Sequence, residues 1–174
     1  TVLVRQTSSS IWDVVDRVGS SESLMVERSA EFFTGYFAEL AAQAVRASSS
    51  NLLKAADLVD RVSANGGKVL VVGNGGSAAI AAHVAVDLVK AAGRRAMTFN
   101  EPSLLTCYSN DFGYSDWVAE AISSFADAGD VAILISSSGE SDNIVNGAAR
   151  ALEMGLSVLT LSGFDATNRL RTLG

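Results

Sequence analysis

Residues 68–88 read KVLVVGNGGSAAIAAHVAVDL, and the architecture of the chain follows from them. The run at 69–72 is apolar and mostly β-branched, short enough for a buried strand. Gly73, Asn74, Gly75 and Gly76 interrupt regular structure. Ser77 is a good N-cap for the alanine-rich helix predicted over 77–92. A strand, a glycine turn and a helix start, in that order, present free backbone N–H groups backed by the positive end of the helix dipole. An anion is expected there, and phosphate is the usual one.

Composition bounds the rest. With 174 residues, 48% of them hydrophobic, the chain is long enough for one α/β domain with a sizeable core. No apolar run reaches the length of a membrane span, and the first residues, TVLVRQTSSS, lack a charged-then-apolar signal pattern. One cysteine, Cys107, makes no internal disulfide, which fits a reducing cytoplasm. Cys107 itself reads as a packed core thiol. A net charge of −6 argues against nonspecific nucleic-acid binding. The chain starts without methionine, so a processed chain or a fragment is one expectation.

Residues 1–20 read as an irregular end, with a short helix within 11–18, and a single domain is expected over 21–174. Its N-terminal helices span 22–65. In the first of them Phe32, Phe33, Tyr36, Phe37, Leu40, Ala41, Ala44 and Val45 recur at helical spacing, for packing either in the core or against another subunit. A second helix is predicted over 51–64. The α/β core then spans 67–174, with further strands at 95–99, 131–135 and 156–161. Helical pieces are predicted at 103–108, 116–126 and 142–154, with a loop at 109–114. Strands and helices alternating at this spacing imply a doubly wound, mostly parallel sheet of Rossmann-like type. Such sheets usually hold five or more strands, so the C-terminal end reads as incomplete.

Two loops carry the chemistry. Residues 73–78 fit G-x-G-x-x-A, the weaker dinucleotide fingerprint, which wants an acidic residue about twenty positions on; Glu101 is the nearest candidate. The other loop, SSSGES at 136–141, also follows a strand and precedes a helix. Its hydroxyls and N–H groups suit one compact phosphate monoester, whereas a dinucleotide needs a single glycine-lined passage. A phosphorylated small molecule is therefore favoured over a nucleotide cofactor. His83 and Asp87 share one face of the helix after the glycine turn. That helix is otherwise apolar, so it is expected to be buried and its polar pair to need partners; a solvent-facing polar stripe is the alternative.

GNGGS before a small-residue helix, NDFGY at 110–114 and ISSSGES before a helix together resemble sugar isomerase (SIS) domains, and within them the phosphoheptose isomerases. The likeness runs from about residue 30 to the end. It implies interconversion of sedoheptulose 7-phosphate and D-glycero-D-manno-heptose 7-phosphate. It also implies that Ser136, Ser137, Ser138 and Ser141 hold the phosphate, with Asn74, Gly75, Gly76 and Ser77 on the sugar side and Asp111 nearby. In the family, a carboxylate at the place of Asp87 is the base, and with the histidine matching His83 it can bind zinc. Here Asp87 is one methylene shorter than the family's glutamate. The family's C-terminal glutamine and histidine have no counterpart, so a His83–Asp87 metal site is incomplete. The resemblance further implies a homotetramer with sites between subunits.

The favoured reading is an aldose–ketose isomerase that works through an enediol(ate), with Asp87 as base and His83 assisting. The alternative is a non-catalytic SIS-domain protein that binds a phosphosugar or a protein partner such as the replication initiator DnaA. A nicotinamide-dependent oxidoreductase is the weakest reading. Neither direct nucleic-acid binding nor membrane association is expected.

Overall fold

The computed structural model describes residues 2–4 and 30–174. Two compact units separate: residues 48–174 together with the first three residues, and residues 4–47. The second contributes one described helix, α1 (Ala30–Val45). Its side chains at Phe32, Phe33, Tyr36, Phe37 and Leu40 are exposed. The expected helix within 11–18 and the start of the one at 22 lie outside the described residues.

The larger unit opens with α2 (Ser49–Ala64), where Ser48 Oγ accepts from the Asn51 N–H at 3.3 Å and caps the helix. Then follow β2 (Val69–Gly73), α3 (Gly76–Lys90), β3 (Ala96–Met97), α4 (Pro102–Phe112) and α5 (Trp117–Phe125). The chain closes with β4 (Val131–Ser136), α6 (Asp142–Glu153), β5 (Ser157–Gly163) and a 3₁₀ turn at Leu170–Leu173. The strands β5–β4–β2–β3 lie side by side and all parallel, with Val69 opposite Val131 and Val131 opposite Ser157. A short strand β1 (Val2–Val4) borders β5, within a stretch read from sequence as irregular.

Parallel strands need crossover helices, and here these cover both faces. Trp117, Ile122, Leu134, Ile144 and Leu170 pack on one face, under α5 and α6. Val62, Val71, Ala81, Ala85 and Ile135 pack on the other, under α2 and α3. From β2 the chain winds towards β3, and from β4 it winds the opposite way, towards β5. The strand order therefore reverses between β2 and β4, the place where open α/β sheets leave a crevice at their C-terminal ends.

Four local expectations change. Gly75, at φ +52° and ψ −120°, is the N-cap of α3, so Ser77 lies inside the helix. That backbone conformation favours glycine, and it sets the cap two positions earlier than the expected serine. Residues 109–112, expected as loop, complete α4, which runs on until Gly113 (φ +86°) ends it. β3 stops at Met97 rather than 99. Beyond it the Asn100 side chain donates to the Gly73 carbonyl at 3.0 Å and takes the place of ladder bonds. Finally, Cys107 is exposed, because α4 buries none of its residues completely and Cys107 falls on its solvent side.

Candidate functional site

The glycine turn leaves β2 and the serine turn leaves β4, at the ends of neighbouring strands where Gly73 pairs with Ile135. Gly73 is required by close approach: a Cβ there would lie 2.6 Å from the Ser77 carbonyl oxygen. The first turn of α3 thus folds directly over the strand end. Asn74 follows, and its side chain joins the two loops. Asn74 Nδ2 donates to Asn143 Oδ1 and Asn143 Nδ2 donates to Asn74 Oδ1, both at 2.9 Å. Asn143, in the first turn of α6, is only 2% exposed. The Tyr114 hydroxyl donates to Asn74 Oδ1 at 3.3 Å and brings the end of the NDFGY segment to the same place.

The serine turn is held from within. Ser136 is buried, its Oγ accepts from the Gly139 N–H at 3.1 Å, and it lies 3.2 Å from Ser141 Oγ. Ser138 Oγ accepts from the Glu140 N–H at 3.1 Å, and Ser137 is exposed. Ser141 is the N-cap of α6 but makes no side-chain cap bond, which leaves its hydroxyl turned to Ser136. Gly139 has φ +71°, and a Cβ on it would lie 2.0 Å from Asn168 Oδ1. The segment after β5 therefore sits on the turn. The Gly163 N–H donates to the Ser137 carbonyl and the Leu170 N–H to the Gly139 carbonyl, both at 2.9 Å. Together, Asn74, Ser136, Ser138 and Ser141 surround the reversal point of the sheet, with the N-terminal ends of α3 and α6 beside them. This arrangement suits a small dianion.

The structure does not bring His83 and Asp87 to that point. They lie seven and eleven residues into α3, roughly 10 and 16 Å along its axis from Gly76. His83 Nε2 is 3.4 Å from Asp87 Oδ2, with side chains 79% and 60% exposed. The expectation that α3 is buried, with its polar pair among partners, is corrected in favour of the solvent-facing stripe: Ala81 and Ala85 are buried, but Ile80, Val86 and Val89 are exposed beside the polar pair. Small alanines let one side of the helix sit close on the sheet, and the other side faces outward. A zinc site takes three or four protein ligands. Among the described residues no group of three His, Cys, Asp or Glu converges, so His83 and Asp87 do not complete one.

Asp111, in the last turn of α4, accepts from Asn110 Nδ2 at 2.9 Å and has the Cys107 thiol 3.6 Å away. Hydrogen bonding to Asp111 and the negative charge of its carboxylate push that thiol above its usual pKa. Glu101 is engaged as a cap: its oxygens accept from the Ser103 and Leu104 N–H groups at 3.1 and 2.9 Å. Those bonds lower its pKa and occupy the carboxylate that a dinucleotide fingerprint would need. Sequence reasoning missed Asn143 and Tyr114. Asn143 follows the serine turn and Tyr114 closes NDFGY, and that proximity is the available signal.

The model of the SIS domain family matches residues 32–163. A phosphoheptose isomerase from Pectobacterium atrosepticum is 39% identical over 124 residues, which are 68% of this chain and 64% of that protein. The chain thus spans somewhat less than two thirds of the length of this curated relative. Among solved structures, phosphoheptose isomerase GmhA from Neisseria gonorrhoeae superposes with a TM-score of 0.75 at 31% identity, covering 83% of this chain and 81% of that one. A phosphoheptose isomerase from Francisella tularensis gives 0.74 at 26% identity, with 82% and 79% covered.

Proposed function

Because the chain belongs to the SIS domain family, we propose that it interconverts sedoheptulose 7-phosphate and D-glycero-D-manno-heptose 7-phosphate. The observation that carries this reading is the Asn74–Asn143 pair, which locks the glycine and serine turns together at the reversal point of the sheet. The relatives, named phosphoheptose isomerases, support the same choice of substrate. Ser137, Ser138 and Ser141 take the phosphate oxygens, aided by the N-terminal end of α6, while Ser136 shapes the turn. Asn74 and Ser77 face the sugar, and Asp111 lies near its path.

The reaction moves one proton between neighbouring carbons. Asp87 removes the proton beside the carbonyl, an enediol(ate) forms, and the proton returns to the adjacent carbon. His83 shifts the hydroxyl proton. The outward-facing His83–Asp87 pair, ringed by Ile80, Val86 and Val89, supports a site that is completed when a second copy covers α3. A homotetramer with sites between subunits satisfies this, and the exposed aromatic residues of α1 give it a further apolar surface. No helix among the described residues is long and apolar enough to cross a membrane. The single exposed thiol fits a reducing cytoplasm. The relatives named phosphoheptose isomerases favour an enzyme over a binding-only role with a protein partner.

The test is Asp87→Asn in an assay with sedoheptulose 7-phosphate. Turnover falls by about 10²–10⁴-fold, the usual worth of a positioned base, while calorimetry still detects the sugar phosphate. Undiminished turnover removes Asp87 from the reaction, and absence of turnover in the unaltered chain removes the substrate assignment.

A further inference from the structure

Two carboxylates stand where a phosphate-binding turn would be expected to avoid them. Glu140 lies inside the serine turn, and Asp142 opens α6, the helix whose N-terminal end adjoins the turn. A dianion seated there gains from the helix end but is repelled by both side chains. One cation from outside the motif answers both. The backbone N–H of Arg169 donates to Glu140 Oε1 at 2.9 Å, and its Nη1 donates to Asp142 Oδ1 at 2.8 Å. Its Nε is 3.9 Å from Glu140 Oε2.

The placement of Arg169 is enforced by its neighbours. Leu170, next in sequence, is buried and donates its N–H to the Gly139 carbonyl. Asn168, on the other side, is buried against Gly139, and its Nδ2 donates to Ser162 Oγ at 3.0 Å and to the Asp165 carbonyl at 2.6 Å. The hydrogen bond with Asp142, with the charges of Asp142 and Glu140, raises the Arg169 pKa despite the opposing effect of burial, so the cation persists at any working pH.

From this geometry we propose that Arg169 is a positioning residue for the phosphate subsite. It acts through Glu140 and Asp142, holding both carboxylates and cancelling charge beside the serine turn so that the turn accepts a dianion. The inference rests on the reading of residues 136–141 as the phosphate grip and deepens it.

The experiment measures the dissociation constant of inorganic phosphate by calorimetry on the full chain. Four proteins are compared: unaltered, Arg169→Met, Arg169→Met/Glu140→Gln/Asp142→Asn, and Ser137→Ala/Ser138→Ala. Arg169→Met weakens phosphate about fivefold or more at low salt, and the deficit shrinks as ionic strength rises. The triple variant regains affinity to within about twofold, because the amides keep the accepting oxygens but carry no charge. A purely structural role for Arg169 predicts no such rescue, so a triple variant as weak as the single one overturns the proposal. It is equally overturned if Arg169→Met binds normally while the serine variant does not. Normal binding by the serine variant removes the phosphate-grip reading, and this inference with it.

Discussion

Asn74 and Asn143 lie 69 positions apart in the chain and exchange two hydrogen bonds of 2.9 Å through their carboxamides. Each amide uses one N–H and its oxygen in the pair, and Asn74 Oδ1 also accepts from Tyr114. The free valence of Asn74 is then its second N–H, a donor suited to a sugar oxygen. Replacing Asn143 with alanine leaves that buried arrangement unpaired and lets the Asn74 side chain rotate. A stability loss of about 2 kcal/mol is expected from urea unfolding, together with a higher KM for the sugar phosphate. Tyr114→Phe, which removes one exposed and longer bond, changes stability by well under about 1 kcal/mol. An Asn143→Ala chain with unaltered KM would show that the amide pair does not position the site.

Gly73 presents a second, purely steric prediction. A methyl group there meets the Ser77 backbone at 2.6–2.7 Å, and backbone in a helix's first turn yields poorly. Gly73→Ala should cost about 1–3 kcal/mol and displace Ser77 and Asn74 together. Denaturant midpoints and phosphate binding should both fall. Gly76→Ala, with open space around the added carbon, should leave the denaturant midpoint unchanged and so serves as the comparison for stability.

Acid stability should trace to Asp130. Its side chain is 2% exposed. Burial pushes its carboxyl upward, but the Lys68 ammonium at 2.6 Å and the N–H groups of Asp127 and Lys68 outweigh that and hold it below the usual range. With the folded pKa depressed, this contribution is fully present above the unfolded value of about 3.9 and is lost as pH falls through the folded one. Unfolding free energy should therefore decline below about pH 4, and Asp130→Asn should flatten that decline while weakening the protein at pH 7. An acid limb that is equally steep in the variant would assign it to other carboxylates.

Cys107 is exposed yet should react sluggishly. Its thiol faces the Asp111 carboxylate, which disfavours the thiolate that alkylating reagents need. Iodoacetamide labelling near pH 8 should be slow, and Asp111→Asn should speed it several-fold. Equal rates in both proteins would mean that Asp111 does not control the thiol.

Most of the regular elements could be read in advance, because each is specified within a few residues. The β-branched run at 69–72 has no good helical alternative, and α2 and α6 follow helical patterning at 51–64 and 142–154. The two turns were also legible as anion-binding loops. What escaped were outcomes of competition between partners. Whether Glu101 would meet a ligand or cap α4 depended on its place beside the Ser103 and Leu104 N–H groups, and residues 109–112 join the helix because it runs on to Gly113. The surroundings of His83 are not legible in the sequence, because an alanine-rich helix can pack on one side alone.

Periodicity and turn chemistry are local, so the order of strands and helices, the serine and glycine turns and the phosphate chemistry they suggest were all available from the linear chain. Strand order is not local: it set β2 beside β4 and so paired Asn74 with Asn143, and it carried Arg169 onto Glu140 and Asp142. Such contacts join residues tens of positions apart, and their energies count only after the core has brought those residues together.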